Sequence, residues 1–160
     1  MPQSSAPVAI DCSGKRFVII TSRFYPQIAE WLEAGARRAL RACEVREEDI
    51  RAYAVPGCFE LPLAASRVIS GGGADAIVAL GAVVRGETAH FDYVAGEAAR
   101  GIMNVQLATG VPIGFGVLTT DTLEQAEFRA DPKRGDKGYH AAIAAATLLR
   151  IPADTRVPAR

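Results

Sequence analysis

"ADAIVALGAVVRGETAHFDYV", residues 74–94, is the stretch whose reading decides the fold. Its first half is a run of small and β-branched apolar residues without polar alternation, the pattern of a strand covered on both faces. Gly86 marks a turn, and a stretch with helical spacing follows, "FDYVAGEAARGIMNVQLATG" (91–110). Strand, glycine turn and helix make a βα unit.

The same unit recurs on either side. "RFVIITS" (16–22) leads into "IAEWLEAGARRALRAC" (28–43), and "IRAYAV" (50–55) leads into "FELPLAASRVIS" (59–70). "VPIGFGVL" (111–118) leads into "TLEQAEFRA" (122–130) and "YHAAIAAATLLR" (139–150). Strands that alternate with helices and are apolar throughout predict an α/β protein. The expected architecture is a three-layer α/β/α sandwich around a short four-stranded parallel sheet, flavodoxin-like, with right-handed crossovers and helices over both faces. Residues 1–14 carry Pro, Ser and Gly without periodicity and read as an N-terminal arm, and residues 15–160 read as one domain. Thr120 or Asp121 is the expected cap of the helix through Glu124.

Composition narrows the function. Eighteen basic and eighteen acidic residues cancel, so neither nucleic acid nor an anionic membrane is indicated, and a small neutral or anionic ligand is the default. Three cysteines, Cys12, Cys43 and Cys58, are an odd count without C-x-x-C spacing, which argues against a disulfide framework and a zinc site. No window approaches the ~18 consecutive apolar residues of a membrane span. A soluble cytoplasmic protein is expected, with no metal.

In open parallel sheets ligands sit beyond the carboxyl ends of the strands, and the chemically expressive residues cluster there. In "VRGETAH", Gly86 permits a tight turn, and Thr88 and the N–H groups around Glu87 point towards an anion at a helix start. A plain βα turn has the same sequence. His90 stands at that rim, and imidazole, with an ordinary pKa of about 6.5, is suited to proton relay; a structural histidine is the competing reading. "AVPGCFELP" sets Cys58, Phe59 and Glu60 at a helix start. Glu60 either complements the helix dipole or accepts hydrogen bonds from ligand hydroxyls. Cys58 has no base nearby in sequence and reads as a wall residue, with a nucleophile as the lesser alternative. Pro62 is tolerated early in a helix, where its missing N–H has no partner. Phe24, in "SRFY", is either core or a stacking surface for a heteroaromatic ring. "RADPKRGDKG" (129–138) offers Arg129, Lys133, Arg134 and Lys137, either as a solvated loop or as cations for a phosphate. Phe115 alternates with glycines that allow close approach to the backbone.

Taken together, "VPGCFELP", "ALGAVVRGETAHFDYV", "GVPIGFGVLTTDTLEQAEFRA" and "GDKG" resemble the lumazine synthase family, in order and at family spacing, from about Arg16 to Arg150. The resemblance implies condensation of 5-amino-6-(D-ribitylamino)uracil with 3,4-dihydroxy-2-butanone 4-phosphate to 6,7-dimethyl-8-ribityllumazine, releasing phosphate and water. It is the penultimate step of riboflavin biosynthesis, and the family uses no cofactor. By the same resemblance His90 moves protons and Arg129 holds the phosphate. Gly86, Glu87 and Thr88 line the butanone phosphate site, and Phe24 stacks on the pyrimidine. Cys58, Phe59 and Glu60 contact the ribityl chain, Ala82, Val83 and Val84 meet the pyrimidine through backbone groups, and Phe115 and Lys137 reach in from a neighbouring subunit.

The family assembles as pentamers, as decamers, or as icosahedral shells of sixty subunits. A homo-oligomer of at least a pentamer is therefore implied, and the short loop between the last two helices points towards a shell. Tyr25, Cys58 and Asp136 depart from the residues frequent in the family, which are Asn, Ala or Ser, and Asn. A noncatalytic flavin-binding or cage-forming homologue is the alternative, against which the retention of His90 and Arg129 argues.

Overall fold

The computed structural model describes residues 10–152. Four strands, β1 (Phe17–Ser22), β2 (Ile50–Val55), β3 (Ala76–Val84) and β4 (Ile113–Thr120), form one parallel sheet in the order β2-β1-β3-β4. Five helices connect or follow them: α1 (Pro26–Ala42), α2 (Leu61–Ser70), α3 (His90–Thr109), α4 (Leu123–Ala130) and α5 (Lys137–Leu149).

The sheet feeds two cores because successive residues of a strand face opposite ways. Phe17 and Ile19 of β1, with Val78 and Leu80 of β3, pack into one cluster with α1, α4 and α5. Val18 and Ile20, with Ile77 and Ala79, pack into the other with α2 and α3. The layers expected from uninterrupted apolar strands are therefore present. β2 is the exception: it is an edge strand, and residues 51–54 are exposed. Coverage of both faces holds for the inner strands β1 and β3 and fails at this edge, where only β1 pairs with it.

Local sequence explains the helices. α1 buries Ile28, Leu32, Ala36, Ala39 and Leu40 along one stripe, with Pro26 in its first turn. Full burial of Leu32 alone contributes roughly 1.5–3 kcal/mol. Pro62 falls in the first turn of α2, as its missing N–H allows. α4 is capped by Thr122, one residue beyond the expected Asp121. Its hydroxyl accepts the Gln125 N–H at 3.2 Å, and the Gln125 amide oxygen accepts the Thr122 N–H at 3.3 Å. This capping box outcompetes the neighbouring Asp and Thr because it satisfies two otherwise orphaned donors.

α5 lies tight against α1. A Cβ at Gly138 would stand 2.0 Å from the Leu32 carbonyl oxygen, so this contact demands glycine. Of the expected N-terminal arm, residues 1–9 lie outside the described residues. Cys12 is buried, and its N–H donates to the Cys43 carbonyl at 2.8 Å, so this part of the chain lies against the end of α1. The last eight residues of the expected domain, 153–160, also lie outside the described ones.

Candidate active site

The carboxyl ends of β1, β2 and β3 surround a cavity of about 590 Å³, within the range of small-molecule sites. Phe24 follows β1, Cys58, Phe59 and Glu60 follow β2, and Ala82, Val83 and Val84 end β3. Gly86, Thr88 and His90 complete the wall from the loop into α3. Ten of the residues singled out from sequence thus meet in one place. Glu87 is exposed on the same loop but does not line the cavity.

The floor depends on a close approach. A Cβ at Gly81 would lie 2.6 Å from the Cys58 sulfur and 2.8 Å from the Ser22 Cβ, so glycine lets the loop after β2 settle onto β3. Cys58 is buried, with its thiol 3.7 Å from the Ala82 carbonyl oxygen. Burial pushes that thiol up to about 11, against smaller opposing contributions from hydrogen bonding to the Ser22 side chain and to the Ala82 backbone. It is neutral near pH 7 and forms part of the wall, as the sequence reading has it.

Glu60 is fixed by its own turn, since its Oε2 accepts the Gly57 N–H at 2.9 Å. A carboxylate so oriented keeps further acceptor capacity for hydroxyls. Phe24 is 69% exposed and Phe59 58%. Neither is core, and both present ring surface at the rim. Thr88 Oγ1 accepts the His90 N–H at 3.3 Å and so takes up one donor of the first turn of α3. Gly86 departs from expectation. It has no positive φ, and a Cβ there would meet open space. Its contribution is an open cavity wall, and not a conformation closed to other residues.

The loop carrying these groups is held by Arg85. Its guanidinium lies 2.9 Å from an Asp121 carboxylate oxygen and 3.4 Å from one of Asp92, and it stacks 4.3 Å from the centre of the Phe91 ring. Its N–H donates to the Thr120 carbonyl at 2.9 Å. The ends of β3 and β4 and the start of α3 are joined by this one side chain. Asp121 and Asp92 hold its proton affinity above the ordinary value. Tyr93, 69% exposed, also lines the cavity. Its position three residues after His90, on the same helical face, is the sequence signal that places it there.

Arg129, Phe115 and Lys137 do not line the His90 cavity. They share a second recess, of about 330 Å³, along the β4 edge of the sheet, with His140 beside them. Phe91 stands between the two: it lines the His90 cavity on one side and a groove containing Arg85, Phe115 and Arg129 on the other. Within one chain, Phe24, Glu60, Thr88 and His90 are therefore set apart from Arg129, Phe115 and Lys137. Among the described residues no cluster of three potential metal ligands occurs, and no helix is long and apolar enough to cross a membrane.

A family model described as 6,7-dimethyl-8-ribityllumazine synthase matches residues 14–153. A 6,7-dimethyl-8-ribityllumazine synthase from Desulfatibacillum aliphaticivorans is 46% identical over 142 residues, which cover 89% of this chain and 92% of that one.

Proposed function

The chain belongs to the 6,7-dimethyl-8-ribityllumazine synthase family, and from that premise we propose how its residues divide the reaction among them. The activity is lumazine formation in riboflavin biosynthesis, a transferase-type condensation of two small molecules. The observation that carries the residue assignment is the cavity in which Phe24, Glu60, the end of β3, Thr88 and His90 converge.

In this reading the pyrimidine of the ribitylamino-uracil stacks on Phe24 while backbone groups of Ala82, Val83 and Val84 meet its polar edge. The ribityl hydroxyls donate to Glu60 along a wall formed by Cys58 and Phe59. The butanone phosphate lies towards Gly86, Glu87 and Thr88. The 5-amino nitrogen attacks the ketone carbon, and His90 carries protons between that nitrogen and the departing water, and again at ring closure. Arg129 holds the phosphate and stabilises the negative charge that grows as its bond to carbon breaks. Holding two reactive partners in register supplies much of the acceleration.

Because Arg129, Phe115 and Lys137 lie outside the His90 cavity of their own chain, the site is completed by these residues of a second copy. The homo-oligomer is a pentamer at least, with the decamer and the sixty-subunit shell as larger forms. Residues 15–160 are read as one domain with a preceding arm, and three cysteines without C-x-x-C spacing support a cytoplasmic reading. Mixing purified protein with both substrates and following lumazine absorbance above the uncatalysed background tests the activity. Background-level formation with retained flavin binding would instead favour a noncatalytic homologue.

A further inference from the structure

The recess along β4 holds a histidine that none of these assignments uses. His140 follows Lys137 by three residues on α5, so the two side chains share a helical face. Both line the recess with Arg129 of α4, over a floor from Phe115 to Thr119 of β4. Among the described residues no carboxylate lines it. The nearest acidic residue in sequence, Asp136, is bound to Arg38 of α1, with Oδ2 2.5 Å from the guanidinium. Two permanent cations and one titratable base thus face the same small volume.

We propose that His140 is a proton-dependent third ligand of the anion held by Arg129 and Lys137, so that an anion of fixed charge is gripped more tightly as pH falls. The inference rests on the assignment of Arg129 as the phosphate holder and extends it to a residue of this chain. A neutral imidazole offers an anion one N–H donor; an imidazolium offers two and a full charge.

The surroundings keep His140 neutral when the recess is empty. Partial burial holds its proton affinity below the ordinary imidazole value, Lys137 adds to that effect, and Asp136 opposes it. Tyr139 is its other titratable neighbour on α5. α4 contributes Arg129, while Glu124 and Glu127 do not line the recess. From α1, Arg38 is engaged with Asp136. Neither β3 nor β4 contains a titratable residue. The sign follows from this. At pH 7.5 the empty site has a neutral His140; an anion raises its proton affinity, so binding takes up a proton and strengthens on acidification.

Sulfate is the suitable probe because its charge is constant between pH 5 and 8, whereas that of phosphate is not. Inhibition by sulfate in competition with the butanone phosphate is measured at pH 5.5 and 7.5 for the wild type and for the His140→Gln, His140→Lys and Arg129→Ala variants. The wild type should bind sulfate about three- to ten-fold more tightly at pH 5.5. His140→Gln should lose that difference, and His140→Lys, with a permanent charge, should bind tightly at both values. Any titration of His90 is common to the wild type and His140→Gln, so their difference isolates His140. A pH dependence that persists in His140→Gln while Arg129→Ala weakens sulfate overturns the role of His140 and leaves the phosphate assignment standing. Undiminished inhibition in Arg129→Ala overturns that assignment, and the inference with it.

Discussion

A site shared between chains makes a quantitative demand on mixed assemblies. His90→Ala should slow turnover by about 10- to 100-fold, towards the low end for general acid–base loss because proximity survives. Arg129→Ala should mainly weaken use of the phosphorylated substrate. The first variant keeps an intact Arg129 recess and the second an intact His90 cavity, and Phe91 and Arg85 stand between the two in each chain. When the variants are co-expressed in equal amounts with different tags, each site, divided as proposed, would draw its His90 from one chain and its Arg129 from the next. Independent choices, one half times one half, leave about one quarter of the interfaces with both groups intact in a cyclic homo-oligomer. Purification through both tags followed by the lumazine absorbance assay should give about a quarter of the wild-type rate, well above either parent. Activity no better than the mean of the parents would mean that His90 and Arg129 work within one chain, and the division of the site would be wrong.

Other substitutions probe the framework. Gly81→Ala should cost about 1–3 kcal/mol in thermal or urea unfolding, because its Cβ would sit 2.6 Å from the Cys58 sulfur; adding Cys58→Ala should restore part of it, and no restoration would exclude that clash as the cause. Cys58, with its thiol held at about 11, should resist iodoacetamide at pH 8, and Cys58→Ala should turn over within a few-fold of the wild type; rapid inactivating alkylation would refute its role as an inert wall. Arg85→Ala removes two exposed ion pairs that solvent screens, so unfolding should shift little while kcat/KM drops about ten-fold as the loop to His90 loosens; a large loss of stability with unchanged kinetics would reverse that reading. Asp136 adopts φ 46°, a left-handed conformation that asparagine also tolerates, so Asp136→Asn should change stability by no more than about 1 kcal/mol while Asp136→Val should destabilise clearly more.

The layers and the cavity were legible because they depend on local pattern. The apolar run ending at Val84 is continuous enough to require cover on both faces, and the expressive residues follow strand ends, where parallel sheets collect ligands. What could not be read depends on which strands are neighbours. Ala52 and Ala54 look like covered strand residues, and they are exposed because β2 lies at the sheet edge. Arg85 gave no signal because its partners, Asp92 and Asp121, meet it only when β3, β4 and α3 are assembled. Glu87 and Thr88 are adjacent in the motif, yet only Thr88 lines the cavity. His140 and Thr122 were within reach of a closer reading: the first lies at helical spacing from Lys137, and the second has Gln three residues on, the pattern of a capping box.

The exposed apolar surface of the chain bears on why a site would be divided between chains in the way proposed. α3 runs for 20 residues and buries only Ala98 and Ile102, leaving Tyr93, Met103 and Leu107 exposed. Phe24, Phe59 and Phe115 are also exposed, around the two recesses. Burying a large apolar side chain contributes roughly 1.5–3 kcal/mol, while association costs about 4–15 kcal/mol in lost freedom before any contact is made. Three such residues on one face of α3 would offset a cost near the lower end of that range, and rim aromatics covered at the same junction would add to it. A substrate whose ring is held by one chain and whose phosphate is held by the next then binds only the assembled form. By mass action it stabilises that form, so on this reading ligand affinity and oligomer stability are linked, and substitutions at Phe115 or Lys137 should weaken both together.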